Sequence, residues 1–90
     1  MREVNFTTAF RRDYKRLSKG GQADLSLLEE VVERLANYIP LDTRHRDHAL
    51  TGEWAGYREC HVKPDWLLIY KLTPDHVFLA RSGSHAELFG

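Results

Sequence analysis

The chain has 90 residues, 42% of them apolar, which is enough for one small domain with a single hydrophobic core. Thirteen basic and thirteen acidic side chains cancel, so the net charge gives no support to nucleic-acid binding, which usually shows as a basic excess. The only cysteine, Cys60, excludes an internal disulfide framework and predicts a fold held by packing alone in a reducing compartment, for which we take the cytoplasm.

A short strand and a helix are predicted at the start of the chain. Residues 2–6 alternate enough to form the strand. Thr7 or Thr8 is placed to cap a helix over about residues 9–19. The buried stripe of this helix consists of three apolar residues at helical spacing, Phe10, Tyr14 and Leu17.

A second helix is predicted from about Gln22 or Ala23 to Tyr38, and Pro40 stops it. Its apolar residues recur at helical spacing along one face. Because only the pair Gly20-Gly21 separates the two helices, we expect an antiparallel helical hairpin whose apolar stripe packs against a sheet.

The second half of the chain predicts a loop and then strands. Residues 42–51 show no consistent period, so we expect a loop or an irregular arm there. Gly52 and Gly56 then mark the boundaries of two strand segments at about 53–55 and 57–62.

Two further strands are predicted after these segments, each following a tight turn. Pro64-Asp65 makes the first turn, and residues 66–72 are apolar on both faces with one exception, as expected for a central strand. Residues 76–81 return as the last strand. Ser82-Gly83-Ser84 is expected to end it and to leave residues 85–90 as a short tail.

These elements predict one α+β domain over residues 1–90. Tight turns imply antiparallel neighbours, because parallel neighbours need a long crossover, so we expect the helical hairpin on one face of a twisted antiparallel sheet. The first strand joins this sheet after a long crossover. No apolar run approaches the roughly 20 residues that span a bilayer, and the first residues lack the layout of a secretory signal, so we expect no membrane contact and no export.

Side chains that can carry charge or protons are predicted to gather at one end of this sheet. On the strand at 57–62, Tyr57, Glu59 and His61 share one face. The following turn brings the start of the next strand back beside His61, and a flexible Ser-Gly-Ser segment follows the last strand. We therefore expect one concave patch that collects His61, Asp65, Trp66, Arg81 and His85.

Such a patch suits the cleavage of RNA by its own ribose 2′-hydroxyl. The reaction needs a base for the hydroxyl proton, an acid for the leaving 5′ oxygen and positive charge on the phosphate. Imidazoles are the natural acid and base near neutral pH, each contributing about 10² to 10⁴ in rate, and Arg81 can make a forked contact to the phosphate. Trp66 and Phe89 offer flat faces for unstacked bases, and the scheme requires no metal or cofactor.

Each of these residues also has a purely structural interpretation. His61 can be a half-buried structural histidine, and Trp66 can belong to the core. Arg81 and Asp65 can form a partly exposed ion pair of little energetic weight. Two further histidines are assigned no function and are expected to be solvated, His45 and His76.

A metal site is a competing interpretation, since imidazoles and carboxylates are common ligands. Its candidate ligands are His48, His61, His85 and Asp65. No two of them lie at a compact spacing such as H-x-x-x-H, and the three histidines fall on different elements, so the sequence disfavours a metal. Cys60 points away from His61 on a regular strand and is assigned to the core.

Two stretches carry a family resemblance, DHALTGEWAGYRECHVKPDWLLIYK at residues 47–71 and ARSGSHAELFG at residues 80–90. They closely resemble the YafQ-type toxins of the RelE/ParE superfamily, the toxin halves of type II toxin-antitoxin pairs, and the helical half agrees in length and pattern. The resemblance implies a RelE-like α+β endoribonuclease, an mRNA interferase that enters the ribosomal A site and cuts the mRNA codon there without a metal. It also implies a cognate antitoxin that silences the toxin and through which alone it reaches operator DNA.

The same resemblance implies a set of functional positions, each of which carries the expected residue type: His48, His61, Asp65, Trp66, Arg81, His85 and Phe89. By that analogy His85 would be the proton donor and Arg81 the phosphate clamp, while Trp66 and Phe89 would hold the codon. The candidates for the base and for phosphate positioning are His48, His61 and Asp65, and the sequence leaves the choice among them open.

The alternative within the superfamily is a gyrase-poisoning, ParE-like binding toxin without nuclease activity. The terminal SHAELFG with its histidine argues against it. Relatives that act on the ribosome are commonly basic, whereas this chain is neutral. A basic stripe on the first helix would therefore make the contact with ribosomal RNA. That stripe consists of Arg11, Arg12, Lys15, Arg16 and Lys19.

Overall fold

The computed structural model describes residues 1–21 and 23–90, and in it five strands form one sheet that two longer helices cover. Two short 3-10 turns, at Thr43–His45 and Gly52–Trp54, lie on either side of the short strand His48–Ala49. The strands and helices in chain order are β1 (Glu3–Phe6), α1 (Thr8–Gly20), α2 (Leu25–Ala36), β2 (His48–Ala49), β3 (Arg58–Lys63), β4 (Trp66–Leu72), β5 (His76–Gly83) and α3 (His85–Phe89).

The sheet has the strand order β1-β5-β4-β3-β2. Neighbours from β2 to β5 pair antiparallel, as the tight turns predict. β1 instead pairs parallel with β5, Glu3 opposite His76 and Phe6 opposite Leu79. The predicted α+β class is confirmed, but the sheet is mixed rather than wholly antiparallel. The long connection through two helices and three strands lets β1 enter beside β5 in the parallel direction.

Local capping sets the ends of the two long helices. Thr7 caps α1, because its side chain accepts a hydrogen bond from the amide of Phe10 at 2.9 Å, and Gly21 ends it in the left-handed region with φ 69°. The side chain of Asp24 accepts from the amide of Ser26 at 3.1 Å, so α2 begins at Leu25 and not at the predicted alternative Ala23. The predicted start at Gln22 lies outside the described residues.

The hydrophobic core lies between the two long helices and one face of the sheet. Both helices contribute buried residues, Phe10 from α1 and Leu28, Val31 and Leu35 from α2. The sheet contributes Cys60, Val62, Trp66, Leu68, Tyr70, Val77 and Leu79. This cluster confirms that α1 and α2 cover the same face of the sheet. Alternation along each strand turns other residues to the opposite face, where Leu67 and Ile69 are also fully buried.

Several local predictions differ from the structure. The loop or irregular arm predicted at 42–51 contains the 3-10 turn Thr43–His45 and the strand β2, which pairs with β3. The segment predicted as a strand at 53–55 is the 3-10 turn Gly52–Trp54. β5 continues through Ser82 to Gly83, because Gly83 pairs with Leu67 of β4 and the hydroxyl of Ser82 donates to the Leu67 carbonyl at 2.8 Å. The predicted tail is helix α3, which a capping box between Ser84 and Glu87 begins.

No helix in the described parts of the chain is both long enough and apolar enough to cross a membrane.

Candidate active site

The pairing register places most of the candidate residues on the sheet face opposite the helices. One cross-strand row runs from His48 on β2 through Glu59 and Ile69 to Arg81 on β5. The next row runs from His61 on β3 to Leu67 and Gly83, and α3 begins two residues later. Because directly opposed residues of antiparallel strands point to the same face, these rows bring His48, Glu59 and His61 into one candidate site. Arg81, at the end of its row, turns its guanidinium to helix α1.

His61 presents one defined nitrogen to this site. Its side chain is only 13% exposed, and Nδ1 lies 3.0 Å from the carbonyl oxygen of Pro64. A carbonyl oxygen can only accept, so Nδ1 carries the proton and Nε2 carries the lone pair in the neutral ring. His45, expected to be solvated, is instead buried and donates from Nδ1 to the His61 carbonyl at 2.7 Å.

His48 and His85 are held in the same way. Nδ1 of His48 donates to the carbonyl of Arg46 at 2.7 Å, and Nδ1 of His85 donates to Oδ1 of Asp65 at 3.3 Å. Each neutral ring therefore leaves Nε2 for chemistry. The ring centroids of His48 and His61 lie 6.5 Å apart and those of His61 and His85 5.9 Å apart, so the three imidazoles form a row.

Asp65 joins the β3–β4 turn to the start of α3. Its Oδ1 lies 3.3 Å from both the backbone amide and Nδ1 of His85. The end of the chain therefore folds back beside the turn that carries Asp65, as expected. The carboxylate is exposed, so its effect here is to orient His85 and not to build a buried charge pair.

Glu59 is a further candidate residue. The sequence predicts it on the same strand face as His61, but it is not among the predicted site residues. It is buried, at 4% exposure. Its Oε1 lies 3.6 Å from Nε2 of His48 and 3.8 Å from Nε2 of His61. Positive charge on either ring would therefore face a carboxylate. The signal that could have found it is the i, i+2 spacing of Glu59 and His61 on one strand.

Arg81 does not pair with Asp65, so the structural alternative proposed for it is wrong. Its Nε and Nη2 donate to the two carboxylate oxygens of Asp13 on α1, at 2.7 and 3.1 Å. The hydrogen bonds to Asp13 raise the pKa of Arg81 above its ordinary value, so the guanidinium is always charged. The side chain keeps 28% of its surface exposed.

Trp66 and Phe89, the two predicted base platforms, have different environments. Trp66 is 7% exposed, lies in the core with the helices, and donates from Nε1 to Oγ of Ser82 at 3.0 Å. A base cannot stack on a ring packed in this way, so we assign Trp66 to the core. Phe89 is 49% exposed and its ring centroid lies 6.3 Å from that of His85, so its face is accessible at the end of the imidazole row.

Two other features of the structure lie away from this chemistry. Cys60 is fully buried, and burial raises the pKa of its thiol to about 12, which agrees with the predicted place in the core. An apolar cavity of about 660 Å³ lies on the helix side of the sheet, among residues of β1, α1 and α2.

Within residues 1–21 and 23–90, no three His, Cys, Asp or Glu side chains are grouped so that they could hold a metal ion.

Comparison with known proteins identifies relatives of the whole chain. Residues 2–90 match the model of a family described as the bacterial toxin of type II toxin-antitoxin systems, YafQ. Over 90 residues the chain is 40% identical to the mRNA interferase toxin YafQ of Escherichia coli K12, covering 99% of this chain and 97% of that protein.

Solved structures agree with this match. The structure of YafQ from Escherichia coli has a TM-score of 0.92 at 38% identity and covers both chains completely. YafQ in the Escherichia coli DinJ-YafQ toxin-antitoxin complex has a TM-score of 0.90 at 40% identity, over 99% of this chain and 98% of that one. A metal-bound toxin from Helicobacter pylori has a TM-score of 0.90 at 43% identity, over 99% and 100% of the two chains.

Proposed function

The chain belongs to the YafQ family of bacterial type II toxin-antitoxin toxins, and from this premise we propose that it is an mRNA interferase, an endoribonuclease that cuts mRNA in the ribosomal A site. The observation that carries the proposal is the row of three imidazoles, each with Nδ1 hydrogen-bonded to a protein oxygen, so that Nε2 is the nitrogen that can exchange a proton. The Nε2 atoms of His48 and His61 lie beside Glu59. Such a row supplies a base and an acid close together, which is what cleavage by the 2′-hydroxyl needs.

The proposed reaction is an in-line displacement at phosphorus. The base takes the proton of the ribose 2′-hydroxyl, the 2′ oxygen bonds to phosphorus, and the bond from phosphorus to the 5′ oxygen breaks. The acid gives its proton to that leaving oxygen, so the products carry a 2′,3′-cyclic phosphate and a 5′-hydroxyl. His85 in its imidazolium form, with a proton on Nε2 as well as on Nδ1, is the proposed acid. The base is neutral His48 or His61, with Glu59 compensating the positive charge that forms on the ring.

The spacing of the rings supports this division of roles. The nitrogen of a catalytic imidazole must come within about 3 Å of the oxygen with which it exchanges a proton. Neighbouring centroids 5.9 and 6.5 Å apart allow two rings to reach the 2′ and 5′ oxygens of one phosphodiester. Asp65 holds His85 from the side away from Nε2, so it acts by orientation.

Arg81 and Phe89 complete the proposed site. The charged guanidinium of Arg81 would bind the phosphate oxygens and stabilise the charge that grows in the transition state. The exposed ring of Phe89 would stack on an unpaired base of the codon, a contact worth about 1–3 kcal/mol per base. The scheme uses side chains alone and requires no metal.

The proposed partners follow from the family. One solved relative is a YafQ toxin in complex with the antitoxin DinJ, and we propose that a cognate antitoxin likewise silences this protein. Contact with operator DNA would occur only through that antitoxin. The toxin would act in the cytoplasm, on translating ribosomes and their mRNA.

Primer extension on mRNA from cells that express the protein tests the function. Wild type should produce cuts within codons of translated frames, and His85→Ala should lower cleavage by about 10²-fold or more with unchanged urea unfolding. His76→Ala is the matched control, because His76 lies on β5 at the far end from the imidazole row and contacts Asn5. Cleavage should persist in vitro with a zinc- and copper-selective chelator at constant Mg²⁺.

Two results would contradict the proposal. Intact mRNA together with DNA damage in expressing cells would favour the gyrase-poisoning alternative. Full cleavage by His85→Ala would remove His85 from catalysis.

A further inference from the structure

A buried carboxylate on α1 lies directly behind the proposed phosphate clamp. Asp13 is 2% exposed and accepts four hydrogen bonds. Two come from Arg81, one comes from Nη1 of Arg16 at 2.9 Å, and one comes from the backbone amide of Ser82 at 3.0 Å. No role in the proposed reaction accounts for this carboxylate, although it contacts the residue proposed to bind the phosphate.

The environment of Asp13 favours a fixed negative charge. Burial alone would raise the pKa of this carboxyl, but the hydrogen bonds from Arg81, the Ser82 amide and Arg16 outweigh it and leave the pKa below that of an ordinary Asp. A buried carboxylate is tolerated only when its oxygens are hydrogen-bonded in this way. Asp13 is therefore a charged and rigid anchor at neutral pH.

We propose that Asp13 is the positioning residue that aims the guanidinium of Arg81 at the scissile phosphate. The inference rests on the proposed function, because it assigns Asp13 a role through Arg81 and not through any contact with RNA. The anchor and the clamp are separated by 68 residues in the sequence, so only the tertiary fold brings them together.

The geometry of the ion pair leaves one edge of the Arg81 guanidinium available to bind a phosphate. Asp13 engages the edge of the guanidinium formed by Nε and Nη2. Among the residues that the structure describes, no protein atom accepts a hydrogen bond from Nη1. A guanidinium has five N–H donors in one plane, so the edge formed by Nη1 and the second N–H of Nη2 remains for two oxygens of a phosphate.

The same anchor also reaches the helix that carries the proposed acid. Arg16 donates to Asp13 and to the carbonyl of Ser82, and its Nε lies 2.9 Å from Oε2 of Glu87 in α3. Glu87 is the residue that closes the capping box of α3, whose first residue is His85. Asp13 therefore contacts both Arg81, the proposed phosphate clamp, and Arg16, which pairs with the helix that carries His85.

Single-turnover cleavage of mRNA on an excess of programmed ribosomes tests the role, with rates expressed per folded molecule. Asp13→Asn keeps the shape of the side chain and removes its charge. We expect the maximal rate to fall by about 10²-fold, as for a displaced catalytic group, with little change in the ribosome concentration at half-saturation. Asp75→Asn, in the exposed turn before β5, is the matched control and should cut at the wild-type rate.

A double variant separates positioning from a merely structural role. If Asp13 acts through Arg81, then adding Asp13→Asn to Arg81→Gln should not slow cleavage further. Multiplicative losses in the double variant would overturn the inference, and so would wild-type cleavage by Asp13→Asn. Wild-type protein that fails to cut ribosome-bound mRNA would overturn the proposed function itself, and the role of Asp13 with it.

A second measurement needs only folded wild-type protein. The Nε–H proton of Arg81, assigned by its loss in Arg81→Lys, should exchange with water far more slowly in NMR spectra than that of exposed Arg12. Exchange as fast as that of Arg12 would show that Asp13 does not hold the guanidinium in solution and would overturn the inference even if Asp13→Asn failed to fold.

Discussion

Backbone carbonyls and two acidic side chains prepare the imidazoles individually. His48 and His61 each spend Nδ1 on a carbonyl oxygen, and their Nε2 atoms both face the buried carboxylate of Glu59. A ring whose tautomer is set before the substrate arrives needs no rearrangement when the proton moves. Single hydrogen bonds therefore decide which nitrogen is available in this site.

At this scale we predict that Glu59→Gln slows mRNA cleavage by about tenfold to a hundredfold. Glutamine keeps the shape of the side chain but no longer compensates positive charge on His48 or His61. Single-turnover cleavage on ribosomes measures the effect. Glu53→Gln, on the exposed 3-10 turn, is the control and should leave the rate unchanged. An unchanged rate in Glu59→Gln would remove the carboxylate from the site.

Helix α3 depends on its contacts, because a helix of five residues is not stable in isolation. The capping box begins it, Asp65 binds its first amide, and Arg16 pairs with Glu87 on its outer side. The ion pair between Arg16 and Glu87 lies against Gly83. A Cβ at that position would lie 2.8 Å from Nη2 of Arg16 and 2.9 Å from Oε1 of Glu87.

For this element we predict that Gly83→Ala separates Arg16 from Glu87 and loosens α3. Gly83 has a φ of 158°, which side chains rarely adopt, and the pair is partly exposed, so the free energy of unfolding should fall by about 1–3 kcal/mol, mostly from backbone strain. Cleavage should fall because His85 loses its fixed place. Urea unfolding and ribosome-bound cleavage measure the two effects separately.

The matched glycine control is Gly20→Ala at the end of α1. No heavy atom lies within 4 Å of the Cβ that it would add, and alanine favours a helix by about 1 kcal/mol over glycine. This variant should be more stable and cut normally. Normal cleavage by Gly83→Ala would mean that α3 does not need the Arg16–Glu87 pair.

In the molecule as a whole, the contact of Asp13 with Arg81 and Ser82 ties α1 to the last strand. Such a link contributes stability only while the carboxylate is ionised. The pKa of Asp13 in the folded state is lower than its ordinary value, so its stabilisation is fully present above about pH 4 and is lost as the pH falls through the folded value.

We therefore predict that wild type is more stable than Asp13→Asn by about 3 kcal/mol at pH 7, and that this difference shrinks as the pH falls below about 4. Urea unfolding followed by tryptophan fluorescence at several pH values measures it. The two proteins differ in this one side chain, so the difference between them reports on Asp13. A difference that stays constant with pH would contradict the linkage.

Much of the fold was readable from the sequence because its signals are local. The apolar run from Trp66 to Leu72 marks β4 with both ends correct, and Thr7 and the glycine pair mark the ends of α1 to within a residue. Periodicity, caps and turns involve residues that are a few positions apart, so both interacting residues lie within one short stretch of sequence. The capping box of Ser84 and Glu87 is likewise a local signal, and it indicates a helix where the lone Ser-Gly-Ser segment suggests a tail.

The same distinction between local and long-range contacts applies to the candidate site. The sequence by itself determined the residue types, the face shared by Glu59 and His61, and the nearness of His61 to the turn at Asp65. Only the tertiary structure decided that Arg81 binds Asp13 on α1 and that Trp66 turns into the core. Those outcomes depend on how helices pack against the sheet across dozens of intervening residues, and no local pattern in the chain records which distant side chains will meet.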